Sequence, residues 1–259
     1  SIPDKKVSQI LIVEDNLELR SYLKEQFQMD YLIEEASDGE EGLKKAIKSI
    51  PDLIVSDIMM PKIDGVEFCK RVKTNERTSH IPVVMLTAKA DIESRIEGLE
   101  TGADDYIIKP FNIHELRTRV KNLIEQRQIL RKRFASNLNV TPKDIAFNSY
   151  DVQFINRIIG VVEEHLADFD FDVKDLQGKA GMSHTQLYRK LFALTGLSPS
   201  KFIRTLRLKR AAKLMEQKNG NVTKIAYEVG FNNLAYFTKC FKELYGLSPS
   251  GYLKQFSGQ

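Results

Sequence analysis

The sequence predicts an α/β front half, built as a doubly wound five-stranded parallel sheet, followed by an all-α tail with two helix-turn-helix units. Three observations predict it. Short apolar runs alternate with amphipathic segments five times between residues 9 and 131. The string GLSPS occurs at 196–200 and again at 246–250, inside a longer repeat. The charge is divided: residues 1–131 carry 20 Lys/Arg against 24 Asp/Glu, residues 132–172 carry 4 against 7, and residues 173–259 carry 15 against 4. A chain of 259 residues has room for two domains of about 100–150 residues each.

The front half follows in order. QILIVED (9–15) is an apolar run closing on two acids. NLELRSYLKEQF (16–27) sets Leu19, Leu23 and Phe27 on one helical face. YLIEEA (31–36) reads as a strand, and DGEEGLKKAIKS (38–49) as a helix with Leu43, Ala46 and Ile47 inward. DLIVSD (52–57) is a strand ending in an acid, and GVEFCKRVK (65–73) aligns Val66, Cys69 and Val72. IPVVMLTA (81–88) precedes a predicted helix at 94–103, a strand at 105–110 and a helix at 112–131. Strands apolar throughout are buried on both faces, as in parallel sheets with helical crossovers.

Ligands of such sheets bind beyond the carboxyl ends of the strands. Those ends carry Glu14 and Asp15, then Asp57, Thr87 and Lys109. Three converging carboxylates repel unless a cation joins them, and Mg²⁺ takes oxygen ligands of this kind. Lys109 would add a fixed positive charge, and Thr87 a hydrogen-bond donor, for an anion bound beside the metal. The competing reading makes these residues helix caps, with Asp15 or Asn16 and Asp57 as examples. Cys69 and Cys240 stand far apart without ligand-like neighbours, which argues against zinc and for buried thiols in a reducing compartment.

VED (13–15), DIMMPKIDG (57–65), LTA (86–88) and GADDYIIKPF (102–111) resemble the receiver domain of bacterial response regulators, a flavodoxin-like fold, over residues 7–131. The resemblance implies that Asp57 accepts a phosphoryl group from a histidine kinase or kinase domain. It implies that Glu14, Asp15, Asp57 and the Met59 carbonyl hold Mg²⁺, and that Thr87 and Lys109 contact phosphoryl oxygens. It further implies a Thr87–Tyr106 switch, a cis peptide before Pro110, and homodimer pairing through the face at 91–131. On this reading the chain is a phosphoacceptor and not an enzyme. An Asp-nucleophile phosphatase or phosphotransferase is the first alternative, but such enzymes carry an acid two residues after the nucleophile, where Met59 stands here.

Residues 132–150 lose the apolar period and read as a linker, into which the preceding helix can continue. The tail, 151–259, opens with a helix over 151–166 capped by Asp151. Residues 173–196 then read as helix, turn, helix, with Gly181 at the turn, Ser183 as cap and Leu187, Leu191 and Leu194 buried. Residues 222–246 repeat this: Gly230 matches Gly181, Phe231 matches Met182, and Phe237, Phe241 and Leu244 match the three leucines. The offset changes from 49 to 50, so the second copy holds one extra residue within 232–236. GLSPS recurs because each unit stops its second helix at a glycine and starts the next at Ser-Pro.

Two such units on a basic connector (200–217) suit double-stranded promoter DNA, with each second helix in a major groove about one turn apart. The first reader presents His184, Thr185, Tyr188 and Arg189, and the second Leu234, Ala235, Thr238 and Lys239. Arg189 suits guanine, and Leu234 and Ala235 suit thymine methyls. Arg204, Arg207, Lys209, Arg210, Lys213, Lys224 and Lys242 are the candidates for phosphate contacts. KAGMSHTQLYRKL, GLSPSKFIR, AYEVGFNNLAYFTKCFKELYG and LSPSGYL resemble the AraC-type DNA-binding domain over 173–256. Members commonly hold small polar residues where Asn233, Leu234 and Ala235 stand, so fewer base hydrogen bonds are expected from the second reader.

Together the two resemblances imply a phosphorylation-controlled transcription regulator of a two-component phosphorelay. The order of domains resembles the C-terminal end of hybrid sensors, which often switch carbohydrate-use genes. An RNA- or protein-interaction module is the second alternative. No apolar run approaches the ~20 residues of a bilayer crossing, and no secretory pattern is present, so this segment is expected in the cytoplasm without membrane contact. The chain begins at Ser1, as a piece of a longer protein would, in which case it is the cytoplasmic portion of a membrane sensor.

Overall fold

The computed structural model describes residues 7–88, 102–136, 148–217 and 220–257. It divides into two compact units, Ser1–Leu130 with Ala146–Asp151, and Arg131–Ile145 with Val152–Gln259.

In the first unit the apolar runs become β1 (Gln9–Val13), β2 (Leu32–Ala36), β3 (Leu53–Asp57), β4 (Val83–Ala88) and β5 (Asp105–Lys109). They form one parallel sheet in the order β2-β1-β3-β4-β5. Alternate residues of the inner strands feed two cores. Leu11, Val13, Ile54, Val83 and Met85 pack with Ala46, Phe68 and Val72 on one face. Ile10, Ile12, Leu53, Val55, Val84 and Leu86 pack with Leu23, Phe27, Leu116 and Val120 on the other. These partners come from α1 (Leu17–Phe27), α2 (Gly39–Ser49), α3 (Gly65–Thr74) and α4 (Ile113–Ser136). Asn16, Asp38 and Asp64 cap α1, α2 and α3, so the cap at the first strand end is Asn16 and not Asp15. Asp57 caps nothing: it ends β3. The helix predicted at 94–103 falls mostly outside the described residues. α4 continues to Ser136, five residues past the predicted helix end at Arg131.

α5 (Ser149–Glu164) starts two residues earlier than its periodicity predicts. Asn148 accepts the Asp151 N–H at 3.0 Å, so Asn148 occupies the cap position given to Asp151 in the sequence reading. Asp151 is instead buried and accepts the Ser79 hydroxyl at 2.7 Å, within the first unit. The Asn148 amide donates to the Ser79 carbonyl at 2.8 Å.

The rest of the second unit holds α6 (Val173–Ala180), α7 (His184–Thr195), α8 (Pro199–Glu216), α9 (Val222–Glu228), α10 (Leu234–Tyr245) and α11 (Pro249–Ser257). Ser183 caps α7 in a capping box with Gln186, and Asn233 caps α10. Met182 and Phe231 are both buried, so the extra residue of the second copy is Asn232. Gly196 and Gly246 close α7 and α10 in the left-handed region, at φ 70° and 75°, which is the physical content of the repeated GLSPS. Leu187, Leu191 and Leu194 are buried, as are Phe237 and Phe241, and Phe237 meets Phe231 edge-on at 5.0 Å. Among the described residues no helix is long and apolar enough to cross a membrane.

Candidate functional site

The parallel sheet brings the predicted acids to one rim. β1 carries Glu14 and Asp15 just past its end, β3 ends on Asp57, and one oxygen of each lies within 4.8 Å of the others. Glu14 is 1% exposed and Asp57 7%, whereas Asp15 faces solvent. From the end of β5, Lys109 reaches across: its Nζ lies 2.9 Å from Asp57 Oδ1 and 3.1 Å from Glu14 Oε2. The Lys109–Pro110 peptide that follows is cis. Burial, and then the Asp57 carboxylate, push Glu14 above the usual carboxylate range, against the pull of Lys109. A buried carboxylate pair with an exposed third acid is an oxygen donor set suited to a small divalent cation.

Local structure holds these groups in place. The Ile58 N–H donates to Asp57 Oδ1 at 2.9 Å, and Asn16 N–H donates to Glu14 Oε1 at 3.2 Å. Gly65 starts α3 directly against the end of β3; a Cβ there would lie 2.1 Å from the Asp57 carbonyl oxygen. Thr87 is buried and its hydroxyl donates to the Ala88 carbonyl at 3.1 Å. Tyr106 is half-buried against the core that contains Met85. Met59 is exposed on the loop after β3.

The tail residues are distributed unevenly. On α7, His184 and Thr185 are exposed, while Tyr188 and Arg189 are half-buried, and the Tyr188 ring lies parallel to Phe192 with centroids 5.9 Å apart. On α10, Leu234 is 38% exposed, Ala235 and Lys239 are exposed, and Thr238 is half-buried. Arg210, Lys213, Lys224 and Lys242 are exposed. Three of the seven proposed phosphate contacts lie differently. Arg204 is half-buried and donates to the Tyr236 hydroxyl at 2.6 Å, with its guanidinium 6.0 Å from that ring. Arg207 is half-buried and donates to the carbonyls of Asp168 and Phe171. Lys209 is half-buried, and burial lowers its pKa.

Residues 10–121 match the family model for the response regulator receiver domain. Residues 176–255 match the model for a helix-turn-helix domain. Response regulator ArlR of Staphylococcus saprophyticus is 36% identical over 161 residues, which make up 58% of this chain and 72% of ArlR. The chain belongs to the response regulators.

Other relatives of this response regulator are longer or shorter than it. Histidine kinase P4 of Formosa agariphila is 42% identical over 258 residues, 100% of this chain, and the chain spans only 19% of that relative. The signal receiver domain of a signal transduction histidine kinase from Syntrophus aciditrophicus is 36% identical, covering 46% of this chain and 91% of its own, with a TM-score of 0.44. The response regulator joins a receiver domain to an AraC-type helix-turn-helix domain, the architecture of a two-component transcription regulator.

Tyr236 shares the second reader helix with Leu234, Ala235, Thr238 and Lys239 but is not among the residues predicted from the sequence. It stands in the first turn of α10, 48% exposed, one turn before the predicted Lys239, with Arg204 holding its hydroxyl. Its outward place follows from the spacing, because Phe237 and Cys240 take the buried stripe. The Arg204 contact spans 32 residues and has no local signature.

Proposed function

We propose that residues 7–131 of this response regulator accept a phosphoryl group at Asp57, that 132–150 serve as a linker, and that 151–259 bind promoter DNA in response. The observation that carries the proposal is the Lys109 ammonium between the buried Asp57 and Glu14 carboxylates, with Asp15 beside them. An isolated cluster of acids would be a cap or a surface accident. A cluster that already holds a lysine against its nucleophile is arranged for an anion.

Asp57 Oδ attacks phosphorus, the Oδ–P bond forms as the P–N bond of a phosphohistidine breaks, and the nitrogen leaves with the bonding pair. Glu14, Asp15, Asp57 and the Met59 carbonyl would hold Mg²⁺, which would offset the repulsion between carboxylate and phosphoryl oxygens. The Lys109 side chain passes from Asp57 to a phosphoryl oxygen. The Thr87 hydroxyl leaves the Ala88 carbonyl for another, and Tyr106 moves into the space Thr87 vacates. The resemblance to receivers supports that switch and supports pairing of two copies through the face at 91–131.

Treatment with a small phosphodonor and magnesium is expected to leave a hydroxylamine-labile adduct at residue 57, read by mass spectrometry, and none in Asp57→Ala. An intact chain without the adduct would end the proposal. Steady turnover of a chromogenic phosphate ester would favour the phosphatase reading instead. For the tail, exposed polar groups on α7 and basic groups on α8, α9 and α10 support duplex DNA, and footprinting on promoter fragments tests it. Carbohydrate-use promoters are the fragments to try first, on the resemblance to hybrid sensors. Equal binding to all duplexes, or to RNA, would favour the interaction-module reading.

A further inference from the structure

Arg207 lies within the basic stretch of α8, but its surroundings set it apart from its neighbours. Its Nη2 donates to the carbonyls of Asp168 and Phe171, in the segment between α5 and α6. That segment is ordered by its own contacts: the His165 ring stacks on Phe171 with centroids 4.7 Å apart, and the Phe171 N–H donates to the Asp168 carbonyl at 3.3 Å. Asp172 follows at once and caps α6, the first helix of the first helix-turn-helix unit. On its other side the guanidinium meets the turn of the second unit. Gly230 has φ 78°, and a Cβ there would lie 2.3 Å from the Leu166 carbonyl oxygen and 3.0 Å from Arg207 Cζ. Three residues later Asn233 caps the second reader. Burial works against the Arg207 charge, which a solvated phosphate-binding arginine would not experience.

We infer that Arg207 is a positioning residue that sets the separation and angle of the two reader helices. It ties the start of the first unit and the turn of the second to the connector between them, with Gly230 as the socket. The inference rests on the reading of 151–259 as a DNA-binding domain with two readers. Two readers rigidly held about one helical turn apart demand one half-site spacing. A phosphate contact adds affinity on every sequence and contributes about one unit to the slope of log K against log salt.

The test uses the whole chain on duplexes whose two half-sites are separated by the footprinted spacing or by one or two base pairs more or fewer. The wild type is expected to prefer one spacing. In Arg207→Met that preference should fall at least about fivefold, with little change in salt slope. Gly230→Ala should flatten it likewise without removing a charge, and Arg207→Lys should restore part of it. Arg210→Ala, on the exposed side of the same helix, should lower the salt slope by about one and leave the spacing preference intact. If Arg207→Met instead lowers the salt slope by about one and keeps the spacing preference, the inference is overturned.

Hydrogen exchange of the free chain separates this from failure of the DNA reading. Arg207→Met should speed exchange at 166–172 and 228–232 together. Unchanged exchange in both segments would overturn the inference even if no duplex were discriminated. Should Arg207→Met fail to fold, Arg207→Lys and Gly230→Ala decide by the same two measurements.

Discussion

The acid rim and the reader helices solve opposite problems. At the rim the functional groups are already paired: the Lys109 ammonium lies against the buried carboxylates of both Asp57 and Glu14. On the readers the predicted groups are largely exposed. A site for transferring a small anion gains from fixed charges, because the arrangement costs nothing further when the anion arrives. A surface that reads base edges must leave its donors and apolar tips free for the groove. The difference predicts where substitutions act: at the rim they alter stability and chemistry together, and on the readers they alter specificity with little effect on folding.

The largest effect is expected at Lys109. Removing one partner of a buried charge set leaves the others uncompensated, at a cost of about 3–5 kcal/mol in the buried limit. The Lys109 side chain is 27% exposed, so Lys109→Met should destabilise the metal-free protein by about 2–3 kcal/mol in chemical denaturation. Added Mg²⁺ should recover part of that loss, since it supplies the missing positive charge. Loss of stability without recovery by Mg²⁺ would show that the carboxylates do not form a metal site.

Next comes Arg189. Arg189→Ala should relax specificity at one base pair by about 1–3 kcal/mol in competition binding, with thermal stability nearly unchanged. Leu234→Ala should cost less, because an apolar contact to a thymine methyl leaves no unpaired donor behind. Equal losses at both positions would remove the distinction drawn between the polar first reader and the more apolar second.

The same contrast explains what was legible in the sequence. Strand ends are legible because an apolar run stops at a definite residue, and in a parallel sheet all such ends face one way. Glu14, Asp15, Asp57 and Lys109 therefore converge without knowledge of any side-chain contact. The repeated turn was legible for a similar reason: Gly-Leu-Ser-Pro encodes a helix stop and a helix start locally. Long-range choices were not. Asn148 and Asp151 are both good caps, and only Ser79, 72 residues from Asp151, decides which of them turns inward. In the run from Arg204 to Lys213 every base looks alike, and the carbonyls of Asp168 and Phe171 select Arg207. The helical run to Ser136 escaped periodicity because its last residues continue no apolar stripe.

The smallest effect expected at the rim is also the one that separates charge from shape. Glu14 is raised above its ordinary pKa by burial and by Asp57, with Lys109 opposing. A carboxyl whose folded pKa lies above its unfolded value contributes stability that is fully present below the unfolded pKa and lost as pH rises through the folded one. Metal-free protein should accordingly carry a penalty at neutral pH that is absent near pH 4. Lys109 donates to Glu14 Oε2 and the Asn16 N–H to Oε1, so Glu14→Gln keeps one acceptor oxygen for one of these two donors and removes the charge. It should therefore raise neutral-pH stability by about 1 kcal/mol, and the advantage should vanish toward pH 4. The same substitution should weaken Mg²⁺ binding at pH 7, because one of the two buried carboxylates is gone. A variant less stable than the wild type at pH 7 would mean that the ion pair with Lys109 outweighs desolvation at Glu14. The rim would then be a structural charge cluster, closer in kind to the network at Lys73, Asp104 and Arg127 than to a site waiting for a cation.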